Sequence, residues 1–226
     1  MGLILERFGG SWPDTKYFSP FARSLAFDVD PVGDPDGALM AWVDREYVLY
    51  RTLERHLISE RLNTGFTGET GVEDFLQYSL SVQNRRKSRS GSSLENHIEH
   101  ILIANEIRHV RGAKTELNSK PDFLFPSIAE YLDPTFPAER LYMLASKRSA
   151  KDRWRQVLAE ADRIELKHLL TLEAAISTAQ TDEMLRQRVR LVVPEPLHAT
   201  FSDAQRMQLM SFRQFIGLVD DVGNAS

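Results

Sequence analysis

The sequence predicts a mixed α/β fold, a central sheet flanked by helices. Four short apolar runs, at 121–125, 141–145, 167–172 and 189–193, alternate with segments of helical spacing in the second half of the chain. Strand, helix and strand in succession argue for a sheet with parallel members. Charged residues also stand at the ends of the first two runs. Asp122 opens Phe-Leu-Phe, and Ser146-Lys147 closes Leu-Tyr-Met-Leu-Ala.

Size and composition permit this. The chain has 226 residues, 42% hydrophobic and 27% charged, enough for one good core or one domain with an appendage. It has no cysteine, which excludes disulfides, zinc–thiolate sites and cysteine nucleophiles and fits a reducing cytoplasm. The start, Met-Gly-Leu-Ile-Leu-Glu, is too short and too acidic for a signal peptide. No apolar run approaches the length of a membrane span. The net charge of −4 is unevenly spread. Residues 85–155 hold 14 Lys and Arg against 9 Asp and Glu, and local charge sets affinity for phosphate.

Residues 1–38 lack periodicity and are rich in Gly, Pro and Asp, which predicts a loop-rich lead-in. Helical spacing covers 38–62 through Trp42, Val43, Tyr47, Leu49, Leu53, Leu57 and Ile58. Three glycines over 63–71 break it. A helix over 72–82 follows, with Thr70 as its cap. Residues 84–93, Asn-Arg-Arg-Lys-Ser-Arg-Ser-Gly-Ser-Ser, read on composition alone as a solvated linker.

Ser92 opens the next helix, whose stripe is Leu94, Ile98, Ile101 and Leu102. Glu95 either completes its capping box or supports a site on the central strands. His97 and His100 fall short of the full turn that helical zinc motifs use and predict a polar face. Residues 110–119 predict a turn or hairpin into the first strand. A helix over 150–164 carries Trp154, Val157, Leu158 and Ala161 as its core stripe, with Glu160 on the edge beside Arg153 and Gln156. Residues 177–188 form the helix between the last two strands. Ser202 caps a final helix, whose Met207, Met210, Phe212, Phe215 and Ile216 predict a core face or a dimer interface.

The chemistry gathers at Asp122, Lys147 and Glu160. Acid, lysine and acid at the ends of two strands and on the next helix can hold Mg²⁺ against a phosphodiester, with the lysine orienting or deprotonating water. Each residue has a plainer role. Pro-Asp opens turns, a lysine at a strand end is commonly solvated, and Glu160 could pair with Arg153 or Arg163 for little gain. Asp122 and Lys147 lie 25 positions apart, which leaves room for a strand, a connection and a second strand that bring them together.

Pro121-Asp122, Ser146-Lys147 and Glu160 resemble the PD-(D/E)xK nuclease motif, in the variant whose second acid has moved to the following helix. Ala145 stands where the ordinary form has that acid. Asn84-Arg-Arg-Lys-Ser-Arg89, Arg111-Gly-Ala-Lys-Thr-Glu116, Lys120-Pro-Asp-Phe-Leu-Phe-Pro126 and Lys151-Asp-Arg-Trp-Arg-Gln-Val157 are similar to the catalytic domain of EcoRII-type restriction endonucleases. The likeness spans roughly residues 82–197.

The resemblance implies a restriction-endonuclease-like fold and a type II restriction endonuclease. Such an enzyme hydrolyses double-stranded DNA with Mg²⁺ at a short palindromic CCWGG-like site. It works as a cytoplasmic homodimer, away from membranes, beside a companion DNA methyltransferase in the host. By the same resemblance Asp122 and Glu160 hold the metal, Lys147 positions water and Glu95 supports them. Arg86, Lys87, Arg89 and Arg153 become DNA contacts, a task that suits the planar fork of arginine.

Residues 82–226 are then the catalytic domain, and residues 1–81 a helical and loop-rich extension packed on it. Up to residue 83 the chain carries 7 Lys and Arg against 13 Asp and Glu. That is unlike the N-terminal effector domain of the prototype and predicts cleavage without a second activating site. Two alternatives stand beside this reading: another PD-(D/E)xK nuclease, of repair or of a mobile element, and a DNA-binding protein that no longer cuts.

Overall fold

The lead-in is helical rather than loop-rich. In the computed structural model, which describes residues 1–223, it forms α1 (Gly2–Phe8) and α2 (Thr15–Ser24). Asp14 caps α2 by accepting from the Lys16 amide at 2.7 Å. Two long helices follow, α3 (Pro35–Thr64) and α4 (Gly71–Ala104). Ile4 and Phe18 pack with Tyr50, Leu53 and Leu57 of α3 in one buried cluster. α2 is amphipathic, with Phe18, Ser19 and Ala22 on its buried face, and Phe18 joins Tyr50 in this cluster.

One compact unit consists of Met1–Asp28 with Ala41–Asn96, and a second of Val29–Met40 with the chain from His97 onward. Residue 82 lies within α4, inside the first unit. Ser92 opens no helix, because α4 runs unbroken through the basic segment. Gly91 inside it costs about 1 kcal/mol against alanine. Long-range pairing offsets that cost. Glu46, Tyr50 and Glu54 stand one turn apart on α3, where Arg89 meets Glu46 and Arg86 meets Glu54. Val72, Phe75, Leu76 and Leu80, at the start of α4, are exposed.

The second unit holds a five-stranded sheet in the order β1 (Val110–Arg111), β2 (Phe123–Phe125), β3 (Tyr142–Lys147), β4 (Lys167–Thr171) and β5 (Val189–Val192). β1 to β3 are antiparallel neighbours, and β3 to β5 are parallel. This is the expected mixed sheet. All of β2 and β4 is buried, the pattern of strands covered on both faces. A 3₁₀ helix, Lys151–Ala159, links β3 to β4, and α6 (Thr178–Arg186) links β4 to β5.

Trp154, Val157 and Ala161 pack with Met143, Leu169 and Leu191 in the main core. The predicted final helix is two. Ser202 caps the short α7 (Asp203–Arg206), and α8 (Phe212–Gly223) follows after Met210 pairs with Val192. Phe212, Phe215 and Ile216 are buried, while Met207 is exposed, so most of that Met/Phe set is core. Between β2 and β3 lies α5 (Ile128–Leu132).

Candidate active site

Asp122 and Lys147 meet because β2 and β3 are antiparallel with Phe123 opposite Leu144. That register brings Asp122, the residue before β2, toward the Lys147 end of β3. Three donors converge on a single oxygen, Asp122 Oδ2: the Ser146 amide at 2.6 Å, Ser146 Oγ at 3.2 Å and Lys147 Nζ at 3.0 Å. Both side chains of the Lys147–Asp122 pair are mostly buried, so solvent screens the pair less than it would a surface bridge. Oδ1 receives none of these donors.

Glu160 sits just past the helix rather than on it. The 3₁₀ helix ends at Ala159, and Glu160 is its C-cap in extended conformation (φ −100°, ψ 139°). The stripe Trp154, Val157 and Ala161 is buried as expected, but the tighter 3₁₀ winding ends it earlier. The Glu160 carboxyl is coupled electrically to the pair. Burial raises its pKa to about 7 and the Asp122 charge adds to this, while Lys147 and Lys167 oppose it. Its Oε2 is buried without a hydrogen-bond partner among the described residues.

A buried carboxylate oxygen with no donor marks a missing partner. Together with Asp122 Oδ1 it offers hard oxygen ligands, the donor type that Mg²⁺ prefers. The residues present therefore fit a divalent cation. The donor set is sparse: among the described residues no group of three or more His, Cys, Asp or Glu forms a candidate metal cluster.

The other predicted site residues are less uniform. Arg89 is buried, 7% exposed; it donates to Glu46 at 3.1 Å and to the Pro13 carbonyl at 3.1 Å. Its guanidinium lies 4.4 Å from the Phe18 ring centre and 4.3 Å from that of Tyr50. A guanidinium so occupied is held by the scaffold in this structure, and the expected role of Arg89 as a DNA contact would require it to exchange these partners. Arg86 pairs with Glu54 at 2.6 Å while its side chain stays partly exposed. Lys87 and Arg153 are exposed. Glu95 is half-buried inside α4 and belongs to the first unit, so no capping box forms there.

Sequence reasoning did not assign the contacts of four further residues, Lys167, Glu173, Tyr131 and Arg163. Lys167 donates from Nζ to the carbonyls of Glu160 and Ala161, and burial holds its pKa below the ordinary lysine range. Glu173 accepts from the amides of Ala150 and Lys151. Tyr131, buried on α5, donates to Glu116 Oε2 at 2.6 Å, and Arg163 reaches the backbone carbonyls of Asp133 and Phe136. A lysine heading the apolar run at 167–172 was the one available signal.

The family profile described as EcoRII C terminal matches residues 50–216. The type II restriction enzyme EcoRII of Escherichia coli is 45% identical over 194 residues, which is 84% of this chain and 47% of that protein. The chain thus spans about half the length of the curated relative it matches. Among solved structures, metal-depleted Ecl18kI in complex with uncleaved, modified DNA has a TM-score of 0.77 at 17% identity, covering 98% of this chain and 82% of that one. The PspGI–substrate DNA complex has a TM-score of 0.72 at 17% identity, covering 95% and 94%. At such identity these likenesses speak for the fold alone, which is restriction-endonuclease-like. With the profile matching most of its length, the chain belongs to the EcoRII C-terminal family.

Proposed function

We propose that this chain is a type II restriction endonuclease, a site-specific deoxyribonuclease that hydrolyses double-stranded DNA at a short palindromic CCWGG-like site. The observation that carries this reading is the Asp122–Lys147–Glu160 group, where Glu160 keeps a buried oxygen without a donor. The reading makes the enzyme a cytoplasmic homodimer with one site for each strand, in a host that carries a companion methyltransferase. No described helix is long and apolar enough to cross a membrane.

Asp122 and Glu160 would hold the Mg²⁺. The bound ion would neutralise charge on the scissile phosphate and lower the pKa of water. This chain's residues do the rest. The Ser146 amide and hydroxyl fix the Asp122 carboxylate. Lys147, held at 3.0 Å from Asp122 Oδ2, presents its ammonium where it can orient water for in-line attack. Glu95 is a supporting carboxylate in this reading. Lys87, Arg86 and Arg153 are the phosphate or base contacts, and Arg86 must exchange Glu54 for DNA to serve.

The test is digestion of unmethylated plasmid with Mg²⁺ by the wild type and by Lys147→Ala, followed by sequencing of the ends. Ends at CCWGG-like sites, absent with the variant, are the expected result. Discrete ends elsewhere would keep the chemistry and discard the inherited site. An intact plasmid that is still bound would leave only a DNA-binding protein. Plasmids with one and two sites extend the test by showing whether cutting depends on a second site.

A further inference from the structure

The two halves of the candidate site are joined by the 3₁₀ helix Lys151–Ala159. Lys147 precedes it by four residues and Glu160 follows it directly. A 3₁₀ helix is a weak spacer by itself, because its hydrogen bonds are poorly aligned and runs beyond three or four residues are uncommon. This one has nine residues. Its position must be held from outside.

One strand supplies side chains to both ends. At the start, Glu173, two residues past β4, accepts through Oε2 from the amides of Ala150 at 2.7 Å and Lys151 at 2.9 Å, and from Ser149 Oγ at 3.2 Å. At the far end Lys167, the first residue of β4, donates from Nζ to the carbonyls of Glu160 at 2.5 Å and Ala161 at 2.6 Å. An acid at the amino end and a base at the carboxyl end each match the sign of the helix dipole.

The Lys167 clasp is the more demanding of the two. Lys167 is 5% exposed, on a strand whose five residues are all buried. A buried ammonium is costly unless acceptors replace its water, and here two consecutive backbone carbonyls do so. The second of them belongs to Ala161, whose φ of +52° lies in the left-handed region that non-glycine residues rarely enter. Such a conformation persists only where the surroundings over-determine it. The reversal falls immediately after Glu160, so whatever holds it also aims the Glu160 side chain.

We propose that Lys167 is a positioning residue for Glu160, fixing the Glu160–Ala161 turn so that the carboxylate faces Asp122, with Glu173 anchoring the Lys147 end of the same helix. This rests on the reading of Glu160 as a cation ligand. Outer contacts that orient a ligand commonly change metal affinity by about 10–100-fold when removed, and that range sets the expected effect.

The experiment is Mn²⁺ binding to the whole chain by electron paramagnetic resonance, with cleavage kinetics and melting temperature measured in parallel. Lys167→Met should bind Mn²⁺ at least about tenfold more weakly. The metal concentration for half-maximal cutting should rise to match, with an unchanged KM for DNA. Lys167→Arg keeps the charge but moves the donors, and should fall between the two. If Lys167→Met does not fold, Lys167→Arg decides: Mn²⁺ binding measurably weaker than wild type supports the proposal, and wild-type binding overturns it. Wild-type Mn²⁺ affinity in a folded Lys167 variant, with only melting temperature lowered, overturns the proposal. Equal Mn²⁺ affinity in the wild type and Glu160→Gln would instead sink the cation reading beneath it.

Discussion

One buried and one half-buried ion pair in this chain use the same chemistry to opposite ends. In the first unit, Arg89 and Glu46 lie 3.1 Å apart with side chains 7% and 2% exposed. Two aromatic faces enclose the guanidinium, and a backbone carbonyl takes another of its donors. In the second unit, Lys147 and Asp122 lie 3.0 Å apart, with slightly more exposure. Beside that pair, Glu160 keeps a buried oxygen without a donor and a pKa raised to about 7 by burial and by Asp122. Arg89 is closed in by its surroundings. An unpartnered buried atom does not by itself separate the two, since Arg89 Nε has no hydrogen-bond partner among the described residues either. The Lys147 group differs in setting a second carboxyl with a raised pKa beside the pair. Clustered carboxyls with shifted pKa mark functional sites more often than structural ones.

Four measurements would break or sharpen this contrast. The largest expected effect is on catalysis. Lys147→Ala should slow single-turnover cleavage by about 10²–10⁴-fold while DNA binding in EDTA changes little. Equal loss of binding would make Lys147 an ordinary phosphate contact. Arg89→Ala should act only on stability. It leaves Glu46 buried beside an empty site, a change worth about 3–5 kcal/mol, visible in urea unfolding. The folded fraction should cut at the wild-type rate. A DNA-binding defect in folded Arg89→Ala would return the residue to the interface.

The third effect depends on pH. His168, buried in β4, has its pKa lowered to about 4, chiefly by burial and then by Arg190, from an ordinary 6.5. The unfolded chain therefore binds the proton first. Stability should be complete above pH 6.5 and fall as pH drops toward 4, by up to about 3 kcal/mol. A His168→Leu variant should flatten that slope in melts across the window. An unchanged slope would assign acid sensitivity elsewhere.

The smallest effect has the opposite sign. The raised pKa of Glu160 means that folding loses stability as pH rises from 4.5 through about 7. Glu160→Gln should then abolish cutting yet gain about 1–2 kcal/mol in metal-free buffer at pH 8, after allowance for solvent screening. A site that costs stability is the usual trade against function. A lower melting temperature for this variant would mean that the carboxylate is part of the scaffold after all.

Much of this was legible in the sequence. The strands at 123–125, 142–147, 167–171 and 189–192 announce themselves as apolar runs, because a strand buried on both faces needs no partner to reveal its pattern. The Asp122–Lys147 pairing followed from residues at strand ends, since a hairpin of that length has few other ways to close. The basic segment was opaque. Its composition is that of a linker, yet it lies inside a 34-residue helix, where contacts across 32 and 43 residues outweigh local propensity.

The sequence by itself therefore announced four of the five strands, the order of the acid, lysine and acid that the proposed site uses, and a likeness to one family, because these depend on local pattern and on order along the chain. The tertiary structure alone decided which arginine is buried and which is exposed, where the helix before Glu160 ends, and that Lys167 and Glu173 hold that helix at both ends. Burial and donor count are properties of neighbours brought together from distant positions, and no single stretch of sequence carries them.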